Sequence, residues 1–135
     1  MTGKPVTPAQ RRALVSRARA VRARAHAPYS KFQVGAAVLD DKGRIHAGTN
    51  VENASYGLTV CAERHAVAAA VAAGAKKVRA VAVITPTSPP GSPCGACRQV
   101  LSEFAAPDAL VLLASPTGVP EETSMGALLP RSFKL

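Results

Sequence analysis

The sequence predicts an α/β protein, a three-layer α/β/α sandwich around a mixed sheet of about five strands. Three observations lead there. An alanine-rich run over residues 66–73 stops at Gly74, as a helix does when glycine supplies the left-handed residue that ends it. Valine-rich runs at 32–39, 45–51, 78–85 and 109–114 are separated by turn residues. The order strand–helix–strand across 78–114 calls for a parallel, right-handed crossover. Helices on both faces of such a sheet give the sandwich. With 135 residues, 47% of them apolar, the chain can bury a sizeable core as one domain over 1–135.

Each element has a local signal. Thr7-Pro8-Ala9-Gln10 reads as a helix start: Thr7 caps, Pro8 suits the first helical position, and Gln10 completes a capping box. Leu14, Ala18, Val21 and Ala25 then recur at helical spacing, and Pro28 ends the element at about His26. Asp40-Asp41-Lys42-Gly43 joins 32–39 to 45–51 as a hairpin. Gly35 and Ala36 leave room for a close neighbour, for which the alanine helix is the candidate. Being apolar all round, that helix is expected to be buried on every side. A second helix over 93–104 follows a proline-rich loop; an edge strand at 119–124 and a helical turn at 125–129 complete the order.

The net charge of +9 raises nucleic-acid binding, and six of the seventeen basic residues lie between Arg11 and Arg24. Aromatics are only 4% of the chain, too few for stacking platforms along single strands, so nucleic acid is not the expected partner. No apolar stretch is long enough for a membrane span, and the arginine-rich start reads as an ordinary helix rather than a transit peptide. Three cysteines fit a disulfide framework poorly and point to a reducing cytoplasm with thiols free for metal or catalysis.

Those thiols form the most informative pattern. Cys94 and Cys97 are three apart at a helix start, which places both sulfurs on one face. Cys61 opens the alanine helix thirty-three residues earlier. The residues permit four readings: an open zinc site, a structural zinc with His65 as fourth ligand, a thioredoxin-like redox pair, or core cysteines. Two turns giving three sulfurs favour the open site, with one position left for water. Arg64, beside Cys61, then has a role in offsetting negative charge at the sulfurs. Glu63 is placed to take a proton from metal-bound water.

Together, Cys61-Ala62-Glu63-Arg64 and Pro93-Cys94-Gly95-Ala96-Cys97-Arg98-Gln99 resemble the zinc-dependent deaminase signature in its three-cysteine form. With Tyr29-Ser30-Lys31-Phe32, Asn50-Val51-Glu52-Asn53 and Pro130-Arg131-Ser132-Phe133 in the same order, nearly the whole chain resembles the short, homotetrameric cytidine deaminases. The resemblance implies Zn²⁺ on Cys61, Cys94 and Cys97, with Glu63 as proton shuttle. It implies hydrolytic deamination of free cytidine and deoxycytidine by zinc-bound hydroxide attacking C4. It further implies that Asn50 and Glu52 hold the ribose hydroxyls, Phe32 and Phe133 pack around base and sugar, and the Ala62 N–H holds the pyrimidine carbonyl. Tyr56 would serve a neighbouring subunit. A deaminase of aminopyrimidine antibiotics of the blasticidin type, and a zinc-stabilised RNA-binding module, are the competing readings.

Overall fold

The computed structural model describes residues 5–135. Its elements run α1 (Pro8–Arg22), β1 (Gly35–Asp40), β2 (Ile45–Thr49), a single 3-10 turn (Tyr56–Leu58), α2 (Ala62–Ala72), β3 (Val78–Ile84), α3 (Gly95–Phe104), β4 (Leu110–Ala114), β5 (Glu121–Ser124) and α4 (Met125–Leu128). The strands form one mixed sheet in the order β2-β1-β3-β4-β5. Only β3 and β4 are parallel, joined through α3 as the strand–helix–strand order requires.

The three central strands are buried on both faces, which is why they read as continuous apolar runs rather than alternating ones. Their side chains sort by period two into two cores. Ala37, Leu39, Ala80, Ala82, Ile84 and Leu112 face Leu14, Val15 and Ala18 of α1. Ala36, Val38, Val81, Val83, Val111 and Leu113 face α2 and α3 through Ala62, Ala66, Val67 and Leu101. The exposed glutamates Glu121 and Glu122 lie on edge strand β5, where charge discourages pairing with another chain.

The capping box at Thr7 and Gln10 is present in both directions, at 3.0 and 3.1 Å. The first helix ends at Arg22, earlier than Pro28 alone would require. Arg24 and Ala25 already donate to carbonyls three residues back, and His26 leaves to bridge Val51.

Two expectations about packing are corrected. Gly35 makes room for α1, not for the alanine helix: a Cβ there would lie 2.1 Å from the Ala18 carbonyl oxygen. The glycine beneath the alanine helix is Gly48 of β2, where a Cβ would lie 2.5 Å from the Ala66 nitrogen. That helix, α2, is also not buried all round. Ala62, Ala66, Val67 and Ala70 face the core, while Ala68, Ala69, Val71 and Ala72 are exposed. One sheet can cover only one side of a helix, and the opposite apolar side is left exposed by the described residues.

The hairpin turn is built on Asp40, whose carboxylate is fully buried. Its Oδ1 accepts the backbone N–H groups of Lys42 and Arg44, and its Oδ2 meets Arg44 Nε and His46 Nε2, all at 2.8 Å. Arg44 Nη1 then donates to the Ala73 carbonyl at 3.0 Å, tying the turn to the end of α2. Burial alone would raise the Asp40 carboxyl, but His46, the two backbone donors and Arg44 outweigh it and hold it well below the usual carboxylate range. The stabilisation from this ionised group is complete above the unfolded carboxyl value of about 3.9 and is lost as pH falls toward the depressed folded value. Asp40→Asn is therefore expected to lower stability by about 2–3 kcal/mol at pH 7. The deficit should shrink below about pH 4 as the native protein loses the same interaction. Urea denaturation across that range checks this; a deficit constant with pH would refute the assignment.

Candidate active site

Two helix starts converge. Cys61 is the N-cap residue of α2 and Cys94 that of α3, both in extended backbone. Cys97, in the first turn of α3, directs its sulfur to the same point. The three sulfurs lie within 4.8 Å of one another and form the one metal-ligating group of three among the described residues. Cys94 and Cys97 Sγ are 3.4 Å apart, and the Cys97 backbone N–H donates to Cys94 Sγ at 3.5 Å. Sulfurs held about 2.3 Å from a tetrahedral zinc would stand about 3.8 Å apart, so this donor set fits the ion with small side-chain shifts. His65 does not join them. Its Nδ1 lies 2.8 Å from the Thr49 carbonyl oxygen, which commits the ring to β2.

The electrostatics divide the thiols. Hydrogen bonding from Cys97 pulls Cys61 down to about 6, helped by Cys94 and by the charges of Arg64 and His65, against a burial penalty. Cys97 moves up, first because it is the donor to Cys61 and then because it is desolvated. Arg64 thus acts on the sulfurs through its charge. Glu63, in the first turn of α2, is only 5% exposed. Burial raises its carboxyl above the usual range, and the charge at Cys61 adds to the shift. A buried carboxyl with a raised pKa beside three sulfurs is suited to both accepting and returning a proton. Ala62, fully buried, is the first residue of α2, where a backbone N–H has no acceptor within the helix.

The polar loop between β2 and α2 holds its residues by backbone contacts. Asn50 accepts from Val34 N–H at 2.9 Å and donates to the Phe32 carbonyl at 2.7 Å. Its side chain therefore sets the path of the chain at Phe32; an amide has four hydrogen-bonding positions, so one donor and one acceptor stay free. Glu52 Oε1 accepts from the N–H groups of Tyr29 and Ser30 at 2.9 and 3.1 Å, and its Oε2 accepts from the Ser30 hydroxyl. These bonds, the Ser30 hydroxyl foremost, hold the Glu52 carboxyl below its ordinary value. Tyr56 stacks edge-on against Tyr29, with ring centroids 6.0 Å apart, and is 75% exposed. Tyr29, Ser30, Glu52, Tyr56 and Thr59 line a cleft of about 400 Å³ that includes neither the sulfurs, Glu63, Phe32 nor Phe133. Phe133 lies on the exposed C-terminal segment, where Gln99 Nε2 donates to its carbonyl at 3.3 Å.

Comparison with known proteins decides the family. Residues 8–113 match the cytidine and deoxycytidylate deaminase zinc-binding region. The chain belongs to this deaminase family. It is 46% identical to the cytidine deaminase of Sporosarcina psychrophila over 120 residues, covering 89% of this chain and 88% of that one. It is also 46% identical to the cytidine deaminase of Halalkalibacterium halodurans over 123 residues, covering 91% and 93%. A crystal structure of cytidine deaminase from Burkholderia pseudomallei superposes with a TM-score of 0.86 at 48% identity, over 90% of this chain and 98% of that one. One from Mycobacterium tuberculosis gives 0.79 at 40% identity, over 92% and 97%.

Within this deaminase frame, zinc is the cofactor the region is named for, and the sulfur group supplies a place for it. Residue-by-residue reading of the sequence overlooked Ser30 and Tyr29, which hold Glu52, and Arg98, whose guanidinium bonds three groups. All three stand inside the matching motifs, but Glu52 and Leu128 lie more than twenty residues from them, so spacing carries no signal for those bonds. Removing one sulfur tests the metal assignment. Cys97→Ala is expected to weaken zinc binding by more than about 100-fold, since even supporting residues of metal sites cost 10–100-fold. Metal analysis of the purified variant checks this, and full zinc occupancy would remove Cys97 from the ligand set.

Proposed function

We propose that the chain is a cytidine deaminase, a single catalytic domain over 1–135 that converts free cytidine and deoxycytidine to uridine and deoxyuridine with release of ammonia. The observation that carries this reading is the buried Glu63 carboxyl, raised in pKa, in the same first turn as the Cys61 sulfur. Cys61, Cys94 and Cys97 are the ligands in this reading. When bound, zinc supplies the Lewis acidity that makes water a nucleophile at neutral pH.

The chain's own residues supply the remainder. Glu63 takes the proton from the attacking water and delivers it to N3 of the pyrimidine as the new C4–O bond forms. It then takes the remaining proton from the C4 hydroxyl and passes it to the exocyclic nitrogen; C4=O forms as the C4–N bond breaks, and ammonia leaves. The Ala62 N–H holds the pyrimidine carbonyl. Phe32 and Phe133 flank the base and sugar. Asn50, through its spare donor and acceptor, and Glu52 receive the ribose hydroxyls. Glu52 is kept ionised by Ser30 and Tyr29 and would repel a phosphate, which favours nucleoside over nucleotide.

The working form in this reading is a homotetramer in the cytoplasm, serving pyrimidine salvage. Support comes from the apolar face of α2 at Ala68, Ala69, Val71 and Ala72, and from Tyr56 and Leu58, 75% and 66% exposed on the loop beside it in sequence. Among the described residues no helix is long and apolar enough to cross a membrane. Sedimentation equilibrium at micromolar concentration is expected to give four chains; a monomer under those conditions would remove Tyr56 from a shared site.

Glu63→Gln is expected to keep its zinc and lose about 10²–10⁴-fold in kcat, the usual contribution of a general acid–base group. An absorbance assay on cytidine, deoxycytidine and blasticidin S, with zinc measured on the same sample, checks both halves. Wild-type turnover in the variant, or activity on blasticidin S alone, would overturn the reading.

A further inference from the structure

Arg98 follows Cys97 directly on α3, and the reaction as described gives it nothing to do. Each of its three guanidinium nitrogens donates one hydrogen bond. Nε donates to the Pro93 carbonyl at 2.7 Å, Nη2 to the Ser92 hydroxyl at 2.8 Å, and Nη1 to the Leu128 carbonyl at 2.7 Å. Ser92 and Pro93 are the two residues before Cys94; Leu128 is the last residue of α4. One side chain therefore spans the loop that delivers a sulfur and the segment that delivers Phe133.

The segment beyond α4 has little else to hold it. No residue from 129 to 135 is buried, and Phe133 itself is 68% exposed. Beyond the Leu129 N–H bond to the Met125 carbonyl, α3 also holds the segment: Gln99 donates to the Phe133 carbonyl, and the Lys134 ammonium bonds the Ser102 carbonyl. Between these anchors Arg131 stands at φ 54°, a left-handed conformation that a non-glycine residue keeps only where its surroundings impose it. Among the described residues the one other such case is Lys31, at φ 60°, directly before Phe32. Both aromatics assigned to the base thus follow within two residues of an imposed backbone turn.

We propose that Arg98 is a positioning residue that fastens segment 128–133 to the metal-binding turn, so that seating the sulfurs and presenting Phe133 are one coupled arrangement. This rests on the reading of Phe133 as a substrate contact. The physical reason is the rigidity of the guanidinium fork. With Nε and Nη2 fixed on the loop before Cys94, the direction of Nη1, and hence the place of Leu128, follows from that loop. A loop drawn into the metal's geometry takes α4 and the tail with it. A lysine amine has no such planar fork and cannot reproduce all three directions.

The test compares wild type, Arg98→Gln, Arg98→Lys and Phe133→Ala, each zinc-loaded and each chelated. Amide hydrogen exchange of residues 128–135 is read relative to β3 in the same sample, so that global loosening cancels. In wild type, zinc is expected to slow exchange of the tail more than that of β3. Arg98→Gln should keep its zinc and lose that difference. Its KM for cytidine should rise about tenfold, the effect of losing a charge-assisted hydrogen bond, with kcat nearly unchanged. Arg98→Lys should fall between. Retained zinc-dependent protection with wild-type KM in Arg98→Gln would overturn the proposal. So would loss of zinc or fold in both Arg98 variants alike, which would mark an arginine that merely supports the structure. An unchanged KM in Phe133→Ala would withdraw Phe133 as a substrate contact, while the exchange data still decide whether Arg98 couples tail to metal turn.

Discussion

Three thiolates would leave one net negative charge on a divalent ion held between Cys61, Cys94 and Cys97, in a site where one of the sulfurs is buried. Unoffset charge in such surroundings is costly, and the architecture answers that cost at several levels. Two helices begin at the sulfurs, so their unpaired N–H groups and positive ends point at the negative centre. Arg64 adds positive charge from the first turn of α2. Burial in the same place raises the Glu63 carboxyl, and the charge at Cys61 adds to that shift.

Bringing two helix starts to one point places demands on the sheet. Helix α3 follows from the parallel step between β3 and β4, which sends the chain back over one face. Helix α2 arrives from the hairpin and is held at both ends by it. Near its start, Gly48 lets the backbone of β2 approach Ala62 and Ala66, and His65 bonds the Thr49 carbonyl. At its end, Arg44 carries the buried charge of Asp40 across to Ala73. Alanine suits a helix clamped this closely, because it adds almost no thickness and costs no side-chain entropy. Buried polar hubs set the remaining geometry: Asn50 joins Phe32 and Val34 to the exit of β2, as Asp40 organises the turn at its entrance.

The deaminase family fits this frame, and the frame explains why its residues fall on loops and first turns. Strands and helix interiors are occupied by the two cores, whereas the ends of α2 and α3 and the loop after β2 keep polar groups free to act. The exposed apolar side of α2 stands apart from this economy. This run is alanine and valine on every face, yet the described residues cover only one of those faces.

Much was legible in local chemistry. The capping box at Thr7 and Gln10, the turn at Asp40–Gly43, the double-sided strands and the sulfur spacing of Cys94 and Cys97 each express contacts within a few residues, which is what a linear pattern can encode. The junction of Cys61 with Cys94 and Cys97 was legible only because all three side chains are of one rare and chemically specific kind. The partners of residues whose kind does not name them were not. That Gly35 meets Ala18, that Asn50 braces Phe32, and that Arg98 reaches Leu128 depend on how separate elements lie against one another. By itself the sequence determined the elements, their order and the chemistry at their ends. Only the tertiary structure decided which face of α2 is covered and which carbonyls the arginines reach, because helical and strand periodicity fix directions within an element but not the neighbours it will meet.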